Sequence, residues 1–170
     1  MKILITGPPG VGKTTLVREI IAIKPDIFSG FITEEMRDKI GERIGFKVAN
    51  LRGEERILAS KDSDSPKRVG KYGVDVRSFE ELVIPILESA TKDKRILVID
   101  EIGKMELISH RFRELVWEIF LSQARVLATI KLSPDPFVDN LKRCHDAQLF
   151  NLRRSNYNEV KQKIISLLGL

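Results

Sequence analysis

The run Gly7-Pro8-Pro9-Gly10-Val11-Gly12-Lys13-Thr14 constrains this chain more than any other stretch. It fits the G-x-x-x-x-G-K-[ST] phosphate loop, and Thr15 adds a second hydroxyl. Ahead of it, Lys2 to Thr6 is short, apolar and β-branched, the pattern of a buried strand. Behind it, Leu16, Val17, Ile20 and Ile21 share one helical face, with Arg18 and Glu19 turned away. A strand, a glycine-rich turn and a helix N-terminus in that order make an anion site. Glycines let successive N–H groups curl around phosphate oxygens, and the helix end adds partial positive charge. Lys13 is placed to reach the β- and γ-phosphates of a nucleotide, and the Thr14 hydroxyl to ligate Mg²⁺. The nucleotide-binding set is therefore Gly7, Pro8, Pro9, Gly10, Val11, Gly12, Lys13, Thr14 and Thr15.

A second element answers the first. Ile96-Leu97-Val98-Ile99 ends in Asp100-Glu101, which reads as a buried parallel strand with two carboxylates at its C-terminal tip, facing the ligand crevice. Asp100 is the expected Mg²⁺ carboxylate, opposite Thr14. Glu101, one residue further, can reach the γ-phosphate side and orient or partly deprotonate an attacking water. Glu106 is the alternative for that base.

Between the two lies a segment of another kind. Phe28 to Glu35, Ile44 to Leu51 and Ile57 to Ala59 alternate with period two and are joined by short polar turns, which predicts an antiparallel meander inserted at about 28–60. Gly30 and Gly45, each before a Phe, mark close backbone approach or bulges. Residues 60–73 lose periodicity and gather Lys67, Arg68 and Lys71 beside Tyr72, a loop able to close over phosphates as a lid. Ser78 with Glu81 reads as the capping box of the next helix, in which Pro85 should form a kink.

Downstream, Ser109 caps a helix with a buried stripe of Phe112, Leu115, Val116, Ile119 and Phe120, and Trp117 lies off that stripe. Ala124 to Ile130 is another apolar strand, with Lys131 at its tip as a candidate γ-phosphate sensor. A short helix runs to Leu141, Leu149 to Leu152 is a last strand, and a helix from near Asn156 stops at Gly169. Residues 1–170 form one domain of ordinary size. No apolar run reaches the ~18 residues of a membrane span, and the early Gly-Pro-Pro leaves no room for a signal peptide. Cys144 is alone, so a reducing, cytoplasmic setting is expected; with His145 it lacks the partners of a zinc site. A formal charge of +5 suits an anionic ligand and allows a weak contact with nucleic acid through the basic surface. Charged residues at 31% hint at a thermophilic source.

Gly7 to Thr15, Gly30 to Arg37, Gly45-Phe46, Val69 to Val74 and Asp100 to Leu107 together resemble the small P-loop nucleoside-triphosphatases of the thermophilic phosphohydrolase type. The resemblance spans nearly the whole chain. It implies Mg²⁺-dependent hydrolysis of nucleoside triphosphates (ATP, GTP, CTP, UTP) to diphosphate and phosphate, with little choice of base. It also implies the P-loop class with an additional strand and a catalytic glutamate, in which the strand ending near Thr129 lies between the P-loop strand and the Asp100 strand. The chain departs from the family pattern at Lys131, where a His is commoner, and at Ser155-Asn156-Tyr157, where an Asn-Arg pair is expected; Arg153 and Arg154 lie just ahead. Either Lys131 or one of these arginines is left to sense the γ-phosphate.

The expected architecture is a three-layer α/β P-loop domain with a mainly parallel sheet and an inserted meander. Glu101 and Lys13 are its catalytic candidates, Thr14 and Asp100 its Mg²⁺ ligands. A P-loop kinase of a small molecule or nucleic-acid end, and a nucleotide-switched binding module, are the alternatives.

Overall fold

The computed structural model describes residues 1–170. Its strands are β1 (Lys2–Thr6), β2 (Phe28–Arg37), β3 (Arg43–Asn50), β4 (Glu55–Ser60), β5 (Arg68–Val69), β6 (Tyr72–Val74), β7 (Ile96–Ile102), β8 (Val126–Ile130) and β9 (Ala147–Asn151). Its helices are α1 (Lys13–Ile23), α2 (Val76–Ser89), α3 (His110–Leu121), α4 (Pro136–Lys142) and α5 (Tyr157–Leu168). All nine strands join one sheet, ordered β5-β6-β4-β3-β2-β7-β8-β1-β9. From β2 to β9 the neighbours are parallel; from β2 to β5 they are antiparallel. β8 sits between β1 and β7, as the additional-strand topology requires.

Alternation along the central strands sends their side chains to two separate cores. Ile3 and Ile5 of β1, with Ile96 and Val98 of β7, pack with Leu16, Val17 and Ile20 of α1 and Val160, Ile164 and Leu168 of α5. Leu4, Leu97 and Ile99 face α2 and α3 on the other side. Helices on both faces make the three layers. Within the second core Phe31, Phe79 and Phe112 meet edge to face, with ring centroids 5.4–6.2 Å apart. No helix is long and apolar enough to cross a membrane.

The structure corrects four expectations. β2 is not purely part of an insert: Phe28 to Ile32 pairs parallel with β7 while Phe31 to Arg37 pairs antiparallel with β3. Its first half is buried on both faces, and Gly30 is what permits the pairing. Gly30 has φ +134°, and a Cβ there would sit 2.1 Å from the Val98 carbonyl oxygen.

The stretch at 60–73 is also not a bare loop. A hairpin forms across Gly70-Lys71, with Gly70 at φ +58°, and adds β5 and β6 to the sheet. Five strands separate β6 from β1, so this hairpin stands well away along the sheet from the phosphate loop. The Arg68 guanidinium donates to the carbonyls of Ser63 and Lys71, at 3.0 and 2.7 Å, and so orders its own hairpin.

Helix α2 starts earlier than Ser78. Asp75 is its N-cap and accepts from the Ser78 N–H at 2.9 Å; an Asp three residues upstream captured the amide that the capping box was expected to order. Its helical span runs through Pro85 to Ser89. The last strand begins at Ala147, two residues before the apolar signal at Leu149.

A candidate phosphate-binding active site

Strand β1 delivers the chain to a turn that must leave the sheet sharply and enter α1. Gly7, Gly10 and Gly12 all have positive φ, and Gly12, at φ +103°, is the N-cap of α1. Gly7 is also pressed against the turn after β9: a Cβ there would lie 2.7 Å from the Leu152 carbonyl oxygen. The Leu152 N–H donates to the Thr6 carbonyl at 2.7 Å, which locks that backing in place. Pro8, Pro9 and Gly10 form the exposed crest, and the Val11 side chain reaches back toward the α1 core.

The amides of Gly10, Gly12, Lys13, Thr14 and Thr15 donate to no acceptor in the chain. These N–H groups cluster at one helix N-terminus, where an anion is the natural acceptor. The Lys13 ammonium donates to the Gly7 and Pro8 carbonyls at 3.1 and 3.4 Å and so arches over the same concavity. Thr15 is exposed.

The second half of the site comes from β7. Asp100 shares its sheet face with Ile96 and Val98, the face that carries α1, so its carboxylate points toward Thr14. It is 2% exposed. Thr129 of β8 donates its hydroxyl to Oδ1, while Oδ2 is buried with no partner. Burial pushes the carboxyl above its ordinary range, and the hydroxyls of Thr129 and Thr14 and the Lys13 charge pull it partway back. A cation beside Oδ2 removes that tension. The available donors are hard oxygens, and Mg²⁺ usually takes only one or two carboxylates together with substrate phosphate. No group of three or more His, Cys, Asp or Glu could hold a metal unaided. Thr14 and Asp100 therefore fit Mg²⁺ carried in with a phosphate.

The Asp100–Glu101 peptide is cis. Glu101 is half-buried; burial raises its carboxyl, the Lys13 and Lys131 charges lower it, and Asp100 raises it. Lys131, at the tip of β8, donates its N–H to the Ile102 carbonyl and pairs with Asp135 at 3.2 Å. It therefore stands on the Glu101 side of the site. Arg153 and Arg154 are exposed on the turn after β9, behind Gly7 and two strand positions beyond β8. Of the three candidate sensors, only Lys131 is brought to the carboxylates.

Two features went unread in the sequence. Thr129 was placed as a strand end, although a lone hydroxyl in Val126-Leu127-Ala128-Thr129-Ile130 was the available signal. The other is Thr33 of β2, which donates to Oε1 of the fully buried Glu106 at 3.1 Å. Nothing local joins residues 73 positions apart.

Much of the basic surface is tied up in ion pairs: Arg43 with Glu35 at 2.7 Å, Lys47 with Glu55 at 2.6 Å, Arg56 with Glu54 at 2.9 Å. Arg18 of α1 pairs with Glu34 of β2.

The fold and the sequence are shared with known proteins. Residues 2–165 match a family model described as NTPase. A nucleoside-triphosphatase THEP1 from Thermotoga sp. (strain RQ2) is 51% identical, with 99% of this chain and 95% of that protein covered. The crystal structure of THEP1 from the hyperthermophile Aquifex aeolicus superposes with a TM-score of 0.91 at 45% identity, over 100% of both chains. The solution structure of a human cancer-related nucleoside triphosphatase gives 0.83 at 36% identity, covering 98% of this chain and 96% of that one.

Proposed function

This chain belongs to that NTPase family, and from this premise we propose that it hydrolyses nucleoside 5′-triphosphates to diphosphate and phosphate with Mg²⁺, reading the base loosely. The observation that carries the proposal is the pairing of a half-buried Glu101 with a buried Asp100 whose Oδ2 has no partner, set opposite a run of unpaired loop amides.

The amides of Gly10 and Gly12 to Thr15 bind the β- and γ-phosphate oxygens, and Lys13 exchanges the Gly7 and Pro8 carbonyls for those oxygens. Thr14 and Asp100 would hold the Mg²⁺, which when bound would supply positive charge to the triphosphate. Glu101 orients a water in line with the γ-phosphorus and takes up its proton as the new oxygen–phosphorus bond forms and the bond to the β–γ bridging oxygen breaks, releasing the nucleoside diphosphate. Lys13 and the loop amides stabilise the charge that develops on the transferred phosphoryl group. Lys131, whose charge acts on Glu101, is the residue that senses the γ-phosphate in this reading.

Every one of these contacts addresses phosphate, metal or water, which all nucleoside triphosphates share. The chain has no Asn-Lys-x-Asp run with which to read guanine. ATP, GTP, CTP and UTP should then turn over within about an order of magnitude of each other, or ~1.4 kcal/mol of barrier. A kinase would need a lid that expels water over its acceptor, and the basic hairpin lies on the far stretch of the sheet with Arg68 occupied by its own loop.

Glu101→Gln tests the reading. It should keep nucleotide binding and lose about 10²-fold or more in hydrolysis, the scale of general-base effects. Parent-level turnover by Glu101→Gln, or γ-phosphate appearing only on an added acceptor, would overturn it.

A further inference from the structure

The Lys131 side chain is only 12% exposed, and of its three ammonium protons one alone has an acceptor in the chain, Oδ2 of Asp135 at 3.2 Å. A cation held so far from water needs more than one partner. Its backbone stands at the site. Thr129, two residues earlier on β8, touches Asp100, and the Lys131 N–H is bonded to the carbonyl of Ile102, the residue after Glu101.

Asp135 is held more firmly than the lysine it meets. It stands between Pro134 and Pro136. A residue before proline is confined to extended backbone, and Asp135 is there, at φ −161° and ψ 125°. Its Oδ1 accepts the N–H groups of Phe137 and Val138, at 3.0 and 3.3 Å, and so caps α4. Val138 is fully buried, which ties the cap to the core. With Oδ1 committed to two amides the carboxylate cannot turn freely, and it is Oδ2 that meets the ammonium. Burial works to raise the Asp135 carboxyl, but the bonds from Lys131 and from the Val138 and Phe137 amides hold it below its ordinary range.

We propose that Asp135 is a positioning residue for Lys131: it anchors the ammonium by one proton at the tip of β8 and leaves the other two for the oxygens of the γ-phosphate. The inference rests on the reading of Lys131 as the γ-phosphate sensor. Helix α4 is thereby the mount of that sensor, since one carboxylate starts the helix with one oxygen and holds the lysine with the other. A lysine carries its charge on a flexible four-carbon stem, and a stem already pinned at its end loses less freedom when phosphate arrives.

Asp135→Asn separates the two duties. Asn caps a helix as well as Asp and keeps an oxygen for the two amides, but its other group is an NH₂ that cannot accept from Lys131. Calorimetry with Mg²⁺ and either ADP or the β,γ-imido analogue of ATP, on Asp135→Asn, Lys131→Met and the double variant, tests the assignment. Asp135→Asn should weaken analogue binding about 10-fold, the low end of what a charge-assisted contact is worth, and leave ADP within about twofold. The sign is diagnostic, because removing an acidic residue beside an anion site should otherwise tighten binding. With Lys131→Met already present, Asp135→Asn should cost no further affinity.

Analogue binding that is unchanged or tighter in Asp135→Asn would overturn the proposal. So would an equal loss for ADP, which marks a role in the fold alone, or an equal loss in the Lys131→Met background. If Asp135→Asn does not fold, Asp135→Ser carries the same cycle, because its single oxygen is spent on the cap. A Lys131→Met that binds the analogue like the parent is a different failure: it removes the sensor reading itself, and this inference with it.

Discussion

The hydroxyl of Thr129 occupies one oxygen of the buried Asp100 carboxylate and leaves the other, Oδ2, without any partner. A strand of the parallel sheet thus aims a carboxylate carried by its neighbour. Thr129→Val keeps the shape but frees Oδ1 to turn. The Mg²⁺ concentration for half-maximal hydrolysis should rise about tenfold, in the range seen when a partner of a metal ligand is removed. Nucleotide affinity measured with chelator present should barely move. A Mg²⁺ titration unchanged by Thr129→Val would take Asp100 out of the metal site.

Lys13→Ala removes the full charge that now rests on the Gly7 and Pro8 carbonyls. Binding of a non-hydrolysable triphosphate should weaken by ~1.5–3 kcal/mol, the worth of a charge-assisted hydrogen bond. Calorimetry would measure it, and unchanged affinity would count against the phosphate-loop assignment.

Glu106 makes the ligand-free protein sensitive to alkali in an unusual window. Burial and the Glu101 charge raise its carboxyl from the ordinary 4.5 of an unfolded chain to about 8 in the fold, so between these values the native state holds the extra proton. Stability from this group is complete below about 4.5 and is lost as the pH rises toward 8. Glu159 and Asp139, lowered by hydrogen bonds from Lys163 and Lys142, act in the opposite sense but only at more acid pH. Thermal unfolding of the apoprotein should therefore show a Tm that falls between pH 5 and 8, with a shallower fall in Glu106→Gln. Parallel pH slopes in the two proteins would show that Glu106 is ionised in the fold.

Gly30→Ala tests the junction between the two halves of the sheet. The new methyl would meet the Val98 carbonyl at 2.1 Å, at a φ that L-residues avoid. Strain and overpacking each cost ~1–3 kcal/mol, so denaturant unfolding should show a loss of roughly 2–5 kcal/mol. A loss below about 1 kcal/mol would mean that β2 and β7 separate easily.

How much of this was legible depended on range. The phosphate loop and the Asp100-Glu101 tip were readable because each is a local pattern with its chemistry in consecutive residues. The place of β8 between β1 and β7 came with the family resemblance. The double pairing of β2 was hidden because alternation reports which faces are buried and says nothing about which strand lies alongside. Gly30 was flagged for close approach, but its partner Val98 could not be. The hairpin at 68–74 was missed because two- and three-residue strands are too short to show a period. Lys2 read as an ordinary strand residue, yet its ammonium is wholly buried and donates to the Ser122 carbonyl and to Asp146, at 2.8 and 2.9 Å. That contact joins positions more than a hundred residues apart, and the one that aims Thr33 at Glu106 spans 73.

The position of β1 in the sheet has a consequence for the order of events during synthesis. β1 leaves the ribosome well before its two neighbours, β8 at Val126–Ile130 and β9 at Ala147–Asn151, which follow it by more than a hundred residues. The carbonyl that backs Gly7 belongs to Leu152. A nascent chain can close the β2–β3–β4 meander early, since those contacts are local, but its phosphate loop stays unsupported until Leu152 has emerged. Non-local pairing of this kind is slow to form. The phosphate loop thus matures well after its own residues are made, and a chain stalled before Leu152 holds the whole phosphate motif without the backing that shapes it.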